Sequence, residues 1–282
     1  YAGEDAPTGL IDVDEALVRS VNTVFAELGC KAGAQNVEKA GMDAGLPDDT
    51  KESYLGGHEQ GYSALQQATA YATLAANGLH AGPYAIARIE DREGNVIHEH
   101  EKRTEQRFSP EEVGVLNKPL QDVVRRGTGT GAAIGRPVAG KTGTAQDYRD
   151  AWFAGYVPQL ATAVWVGYPE PKPMDNVRGR AVSGGSFPAR IFSALMRKAL
   201  EGVKAAPIPV VSPDKLDVQR DDIKFPEETT TTSSTSTTVP GSSTTSSSTI
   251  LEGEGGSSTT TSTTRKRTTT TTSSTTTTAP SG

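Results

Sequence analysis

The stretch RPVAGKTGTAQ, from Arg136 to Gln146, decides how this sequence is interpreted. Its small and apolar residues predict a buried β-strand, yet that strand carries Lys141, followed by Thr142, Gly143 and Thr144. A buried ammonium group costs free energy unless another group uses its charge, and the glycine leaves the backbone bare beside it. Taken alone, the stretch fits either a site that recognises an anion or a strand without a chemical role.

A second polar motif, Ser20-Val21-Asn22, lies where one predicted helix ends and another begins. Asp12, with Glu15 three residues later, forms a capping pattern that predicts a short helix from Val13 to Arg19. Apolar residues at helical spacing after Val21 predict a second helix. Because Ser and Asn at a helix start most often cap free N–H groups, the motif by itself indicates no chemistry.

The other elements predict a sheet between helices. Residues 138–146, 151–158 and 160–168 are strand-like and closely spaced, which favours an antiparallel sheet. We predict further helices over residues 61–78, 109–127 (with Ser109 as N-cap) and 187–202, and a hairpin over residues 83–100. The last helix is expected to pack on the sheet through Ile191, Leu195, Met196 and Ala199. The sequence therefore predicts an α/β fold built in layers.

The composition changes after residue 205. Only 34% of the 282 residues are hydrophobic, because the chain ends in almost continuous Thr and Ser. We expect a folded domain over residues 1–205, a Pro-rich and acidic linker over 206–228, and a disordered Thr/Ser-rich tail over 229–282. The net charge of −6 argues against nucleic-acid binding, which needs a basic face. The single cysteine, Cys30, excludes a disulfide framework and is expected to be a small buried residue.

Together, in this order and with the sequence around them, the two motifs resemble the transpeptidase domain of penicillin-binding proteins, of the bifunctional class A type. The resemblance covers residues 12–202, and GTGTGAAIGRPVAGKTGTAQ, over residues 127–146, is its most specific part. The family's catalytic set is Ser-x-x-Lys, Ser-x-Asn and Lys-Thr-Gly, in that chain order. The resemblance implies the β-lactamase/transpeptidase-like fold and a D,D-transpeptidase, an acyltransferase that cross-links peptidoglycan through a serine acyl-enzyme.

The resemblance assigns catalytic roles to three residues. Ser20 would relay a proton between the family's catalytic lysine and the leaving amine. Asn22 would hydrogen-bond the peptide carbonyl group of the substrate and orient that lysine. Lys141 would hold a positive potential near Ser20 and attract the terminal carboxylate of a D-Ala-D-Ala stem peptide.

The same resemblance assigns substrate binding to the rest of the lysine motif. The hydroxyl groups of Thr142 and Thr144 would bind the carboxylate, and the backbone N–H of Thr144 would be one of two oxyanion donors. Gly143 would let the substrate lie along the strand edge as an added strand. The resemblance requires no cofactor and no metal ion.

The nucleophile is expected to lie outside this sequence. The family's Ser-x-x-Lys should precede Ser20, and no serine does. One Ser-x-x-Lys occurs, at Ser212 to Lys215, but it follows the last predicted helix and is interpreted as a turn. The resemblance therefore implies that residues 1–205 are a partial penicillin-binding transpeptidase domain, truncated and inactive, whose nucleophile lies upstream of Tyr1.

Two other functions stay open at this stage: a β-lactamase-like serine hydrolase and a non-catalytic module that binds penicillin or peptidoglycan. The family implies peptidoglycan stem peptides and β-lactams as partners, with other cell-wall synthesis proteins as further candidates. It also implies a location on the extracytoplasmic face of the cell membrane or in the cell wall. The membrane anchor would be N-terminal and absent from this sequence.

Overall fold

The computed structural model describes residues 10–47 and 61–216. Within them lie six α-helices: α1 Val13–Arg19, α2 Asn22–Ala32, α3 Ala34–Ala44, α4 Ala64–Ala75, α5 Pro110–Arg126 and α6 Phe187–Ala199. The strands are β1 Leu79–Ala81, β2 Arg88–Glu90, β3 Val96–Glu99, β4 Thr104–Gln106, β5 Ala139–Thr144, β6 Asp150–Val157 and β7 Leu160–Gly167. The predicted tail over 229–282, and the predicted linker after residue 216, lie outside the described residues.

The main sheet has three antiparallel strands in the order β5-β6-β7. Its register places Gly143 opposite Trp152, and Trp152 opposite Trp165. Among the described residues β5 is therefore an edge strand, paired on one side only. Two further pairs, β1 with β4 and β2 with β3, form small separate sheets. The predicted hairpin is the second of these pairs.

Helices cover both faces of the main sheet. Helix α6 packs on one face, where Phe192 meets Phe153 of β6 with 4.7 Å between ring centroids. Helices α4 and α5 cover the other face around Tyr156, Ala139 and Leu120. This arrangement is the predicted antiparallel sheet between helices, and the fold class is confirmed.

Local signals account for the helix ends. In α1 the Asp12 side chain accepts a hydrogen bond from Glu15 N at 2.6 Å, as the capping pattern predicts. In α5 the Ser109 and Glu112 side chains each bond the other residue's backbone N–H, which completes a capping box. Helix α3 was not predicted, because its sequence AQNVEKAGMDA has few apolar residues and an internal glycine.

Two expectations about burial need correction. Helix α6 packs on the sheet and Met196 is buried there, as predicted, but the other core contacts come from Ala189 and Phe192. The predicted Ile191 and Leu195 are about half exposed, and Ala199 is exposed as well. Large apolar side chains occur on both faces of this helix, and the aromatic contact with β6 decides which face is buried. Cys30 is exposed because it lies within α2 on a side without a packing partner in the described core.

The packed structure continues past residue 205. Ile208 is 6% exposed and lies against α5, and the Asn117 side chain donates a hydrogen bond to Pro209 O at 2.8 Å. The division into domain, linker and tail stays a prediction. No helix in residues 10–47 or 61–216 combines the length and apolar character that crossing a bilayer requires.

Candidate active site

Ser20 lies at a sharp break between two helices. It ends α1 in the left-handed conformation, with φ 58° and ψ 50°, and its N–H bonds the carbonyl groups of Ala16 and Leu17. Non-glycine residues adopt this conformation at a cost of about 1 kcal/mol or more. Because α1 ends at Arg19 and α2 begins at Asn22, only Ser20 and Val21 separate the two helices. Ser20 is therefore in the short connection between the helices and belongs to neither of them.

Lys141 reaches Ser20 across 121 positions of sequence. Its ammonium group donates to Ser20 Oγ at 2.7 Å and to the carbonyl oxygen of Thr142 at 3.0 Å. Strand alternation explains why the Lys141 side chain extends toward α1. Lys141 is on the same face of β5 as Ala139, and Ala139 belongs to a buried cluster that includes Leu17 of α1. Burial lowers the pKa of Lys141 from 10.5 to about 8, because the charged form loses hydration there.

The two threonines of the lysine motif are held from outside the strand. The Thr142 hydroxyl is hydrogen-bonded to the Thr128 hydroxyl, with 2.7 Å between the oxygens. The Thr144 hydroxyl accepts a hydrogen bond from Gly184 N at 3.0 Å. Thr142 is 9% exposed, whereas Thr144, at the end of β5, is exposed to solvent.

Two loops to which no catalytic or binding role was assigned from the sequence support this strand. In the first loop, residues 127–131 (GTGTG), Gly127 lies against α1 so closely that a Cβ would stand 2.5 Å from Val18 O. A Cβ on Gly184 would stand 2.3 Å from Trp152 O and 2.6 Å from Gly143 O. The available signal was the repeat of glycines, which marks close backbone approach.

The structure brings together Ser20, Lys141 and Thr142. Asn22 is two residues from Ser20 at the first position of α2, and its side chain makes no hydrogen bond to Ser20 or Lys141 in the described part of the chain. Gly143 packs on Trp152, with 3.2 Å between that side chain's Cβ and the place a Gly143 Cβ would take. The described residues contain no group of three His, Cys, Asp or Glu residues arranged to hold a metal ion.

The single Ser-x-x-Lys of the sequence forms a surface turn. Pro213–Lys215 is one turn of 3₁₀ helix, and the Ser212 hydroxyl bonds the Asp214 carboxylate. Ser212 and Lys215 are both exposed, and the preceding Val211 is tied to Gly114 of α5. Neither side chain contacts Ser20 or Lys141 in the described structure.

Arranged in this way, the site can hold a proton between a hydroxyl and an amine, and it offers hydroxyl donors along an open strand edge. These are groups that acyl transfer through a serine requires in addition to the nucleophile.

Comparisons with known proteins agree with this geometry. The family described as "Penicillin binding protein transpeptidase domain" matches residues 3–197. Penicillin-binding protein 1F of Bacillus subtilis is 33% identical over 203 residues, which cover 68% of this chain and 28% of the relative. Penicillin-binding protein 1A of Mycolicibacterium smegmatis is 34% identical over 226 residues, which cover 71% of this chain and 29% of that protein. The chain thus spans less than a third of these curated relatives.

Solved structures give the same result. The penicillin-binding protein PonA1 of Mycobacterium tuberculosis superimposes with a TM-score of 0.64 at 30% identity, over 74% of this chain and 61% of that one. PonA1 in complex with penicillin V gives a TM-score of 0.61 at 29% identity, over 73% of this chain and 61% of that one.

Proposed function

The chain belongs to the penicillin-binding protein transpeptidase family of peptidoglycan synthesis, and from this premise we propose that it carries two of the three catalytic motifs of a serine-type D,D-transpeptidase. The full-length protein would cross-link peptidoglycan stem peptides on the extracytoplasmic face of the membrane, alongside other cell-wall synthesis proteins. One observation carries the proposal: the Lys141 ammonium group donates to Ser20 Oγ at 2.7 Å in a partly buried site.

The contact between Ser20 and Lys141 supports a proton relay. The nucleophilic serine attacks the carbonyl carbon of the penultimate D-Ala, the peptide bond breaks, and the terminal D-Ala leaves as an amine that needs a proton. Ser20 would deliver that proton and recover one from the catalytic base. Lys141, with its pKa lowered to about 8 by burial, keeps Ser20 in place and stabilises negative charge that develops on its oxygen.

The strand edge supports recognition of the stem peptide. Thr142 and Thr144 would donate hydrogen bonds to its terminal carboxylate, and Lys141 would attract that carboxylate electrostatically. Gly143 would let the peptide lie flat against β5, and Thr144 N–H would be one of the oxyanion donors. Asn22 would bind the substrate's amide carbonyl group.

The acylated serine and the catalytic lysine would come from sequence outside these 282 residues. Two observations support this: the only Ser-x-x-Lys in the sequence is an exposed turn, and its serine bonds Asp214 instead of a lysine. The chain by itself would therefore be inactive. In the full-length protein, β-lactams would inhibit the reaction by acylating the same serine, as analogues of the D-Ala-D-Ala terminus.

A fluorescent penicillin tests the assignment of the nucleophile. The 282-residue chain, denatured after incubation and run on a gel, should carry no covalent label. A labelled band that disappears in the Ser212→Ala variant would show that the exposed turn is the nucleophile and that the proposal is wrong.

The full-length protein tests the roles of Ser20 and Lys141. It should be labelled, and Lys141→Ala should slow labelling by at least about a hundredfold, since one charged group and its hydrogen bonds are lost near the reacting atoms. Lys118→Ala is the matched control, because Lys118 pairs with Asp14 on the surface. Equal labelling of the Lys141→Ala and control variants would refute the proposed role of Lys141.

A further inference from the structure

We propose that Thr128, in the loop after α5, is a positioning residue that sets the direction in which the Thr142 hydroxyl donates its proton. The inference rests on the proposed function, because the acceptor in question is the substrate carboxylate. Thr128 lies outside both the Ser-x-Asn and the Lys-Thr-Gly motifs. Its role would be to act on the carboxylate through Thr142.

The contact that carries this inference is a hydroxyl pair. Thr128 Oγ1 and Thr142 Oγ1 are 2.7 Å apart, a normal distance for O–H···O hydrogen bonds. In the proposed function, the Thr142 hydroxyl is one of the groups that bind the substrate carboxylate. The bond joins β5 to a loop 14 residues earlier in the chain.

The backbone of Thr128 is fixed on two sides. Its N–H bonds Val18 O of α1 at 3.4 Å, two residues before Ser20. On its other side, a Cβ on Gly185 would stand 2.3 Å from Thr128 O, so only glycine allows this approach. Thr128 therefore touches both halves of the site, the helix that ends at Ser20 and the strand that holds Lys141. These contacts fix the backbone from which the Thr128 side chain reaches Thr142.

The number of hydroxyl protons shows which direction of this hydrogen bond the proposal requires, namely donation from Thr128 to Thr142. The Thr144 hydroxyl accepts from Gly184 N, so its own proton remains free to be donated outward. The pair formed by Thr128 and Thr142 holds two hydroxyl protons, and one of them is used between the two oxygens. If Thr128 donates to Thr142, the proton of Thr142 is free. Two outward donors, from Thr142 and Thr144, then match the two oxygens of a carboxylate.

The neighbouring Thr130 provides a matched control. It belongs to the same GTGTG sequence, is exposed, and takes part in the short 3₁₀ turn Thr130–Ala132 through its backbone. No hydrogen bond joins its side chain to β5 among the described residues. A change at Thr130 therefore alters the same loop without altering the hydroxyl pair.

The test uses the full-length protein and two probes, benzylpenicillin and its methyl ester, which lacks the carboxylate charge. Thr128→Val keeps the side-chain shape and removes the hydroxyl. We expect it to lower the second-order acylation rate by benzylpenicillin about tenfold and the rate by the ester less than about twofold. Thr128→Ser should stay within about twofold of wild type with both probes, as should Thr130→Val. The thermal midpoints of all variants confirm that they are folded, and Thr128→Ala replaces Thr128→Val should the latter not fold.

A double-mutant cycle makes the inference specific to Thr142. In a Thr142→Val background, adding Thr128→Val should cause no further loss of benzylpenicillin acylation, because the group that Thr128 orients is already absent. A tenfold loss in both backgrounds, or equal losses with acid and ester, would overturn the positioning role. Failure of the wild-type full-length protein to be acylated at all would instead refute the proposed function on which the role depends.

Discussion

Lys141 should make the stability of this fold depend on pH in an unusual direction. The substitution to test is Lys141→Met, which keeps the length and volume of the side chain and removes its charge. Burial lowers the pKa of this lysine from 10.5 to about 8. At 1.36 kcal/mol for each pKa unit, keeping the ammonium group charged in the folded state costs about 3 kcal/mol at neutral pH.

The sign follows from proton linkage. Between about pH 8 and pH 10.5 the unfolded chain keeps the Lys141 proton while the folded chain loses it. The unfolded state then binds more protons, so the free energy of unfolding rises with pH through this window. The cost of keeping Lys141 charged is fully present below its pKa in the folded state, about 8, and disappears above its pKa in the unfolded state, 10.5. In the methionine variant this contribution is absent at every pH.

The expected magnitudes are as follows. At about pH 7 the variant regains about 3 kcal/mol but loses the bonds to Ser20 and to Thr142 O, each worth about 1 kcal/mol net. We therefore expect Lys141→Met to be more stable than wild type by about 1 kcal/mol, or by a few degrees in thermal midpoint. The stability advantage of the variant should fall by about 2.5 kcal/mol when the pH is raised from about 7 to about 10.

Urea unfolding followed by circular dichroism, at several pH values, measures this difference. Comparing the two proteins at each pH cancels the titration of every other lysine and tyrosine. Lys118→Met is the control. The Lys118 side chain is exposed and bonds Asp14, which raises the pKa of Lys118, whereas burial lowers the pKa of Lys141. A gap between wild type and Lys141→Met that stays constant across the pH range would refute the buried, charged lysine on which the site depends.

Substitutions at three further positions test the framework. Ser20→Gly should be more stable than Ser20→Ala by about 1 kcal/mol, because both variants lose the hydroxyl that accepts from Lys141 and only glycine accepts φ 58° without strain; equal thermal midpoints would contradict this role of the left-handed conformation. Tyr156→Phe should cost about 1–3 kcal/mol in urea unfolding, since it leaves the buried Asn117 side-chain oxygen without its hydroxyl donor, and an unchanged midpoint would contradict that contact. Gly184→Ala should cost about 2 kcal/mol and slow penicillin labelling of the full-length protein, since its Cβ would meet Trp152 O at 2.3 Å; wild-type stability and labelling would exclude the close approach.

Local sequence signals predicted the elements that local interactions decide. The start of α5 follows from Ser109, Pro110 and Glu112, because capping satisfies N–H groups within the same turn of helix. The small and apolar stretch around Lys141 likewise predicted strand β5. Neither conclusion needed any knowledge of what lies elsewhere in the chain.

Which face of a helix is buried was harder to predict from the sequence. Helix α6 has apolar side chains on several faces, and Phe153 of a distant strand selects the one with Phe192. The exposed Ile191 and Leu195 could not be told from buried residues by spacing alone. The sequence of a helix does not show which surface the helix will pack against, and that surface decides which of its apolar residues are buried.

The residues of the candidate site could be grouped from the sequence only through the resemblance to a known family. Ser20 and Lys141 are 121 positions apart, and nothing in their spacing predicts a contact. The family motif linked them, and their separation of 2.7 Å is a property of the fold. Thr128 was missed because alternating Thr and Gly after a helix is also typical of an ordinary turn.

The site brings together two residues, Ser20 and Lys141, whose conformation or burial each costs free energy of folding. Ser20 is in a left-handed conformation, and Lys141 keeps its ammonium group where hydration is lost. Neither arrangement is favourable alone, yet each gives the other a hydrogen-bond partner.

The supporting loops approach so closely that Gly127 and Gly184 leave no space for a Cβ. Close backbone contact fixes positions without flexible side chains, so little conformational entropy is left to lose when substrate binds. It follows that substitutions of Gly127 and Gly184, which touch no substrate in the proposed mechanism, should disturb acylation more than substitutions of exposed residues on the outer face of α6.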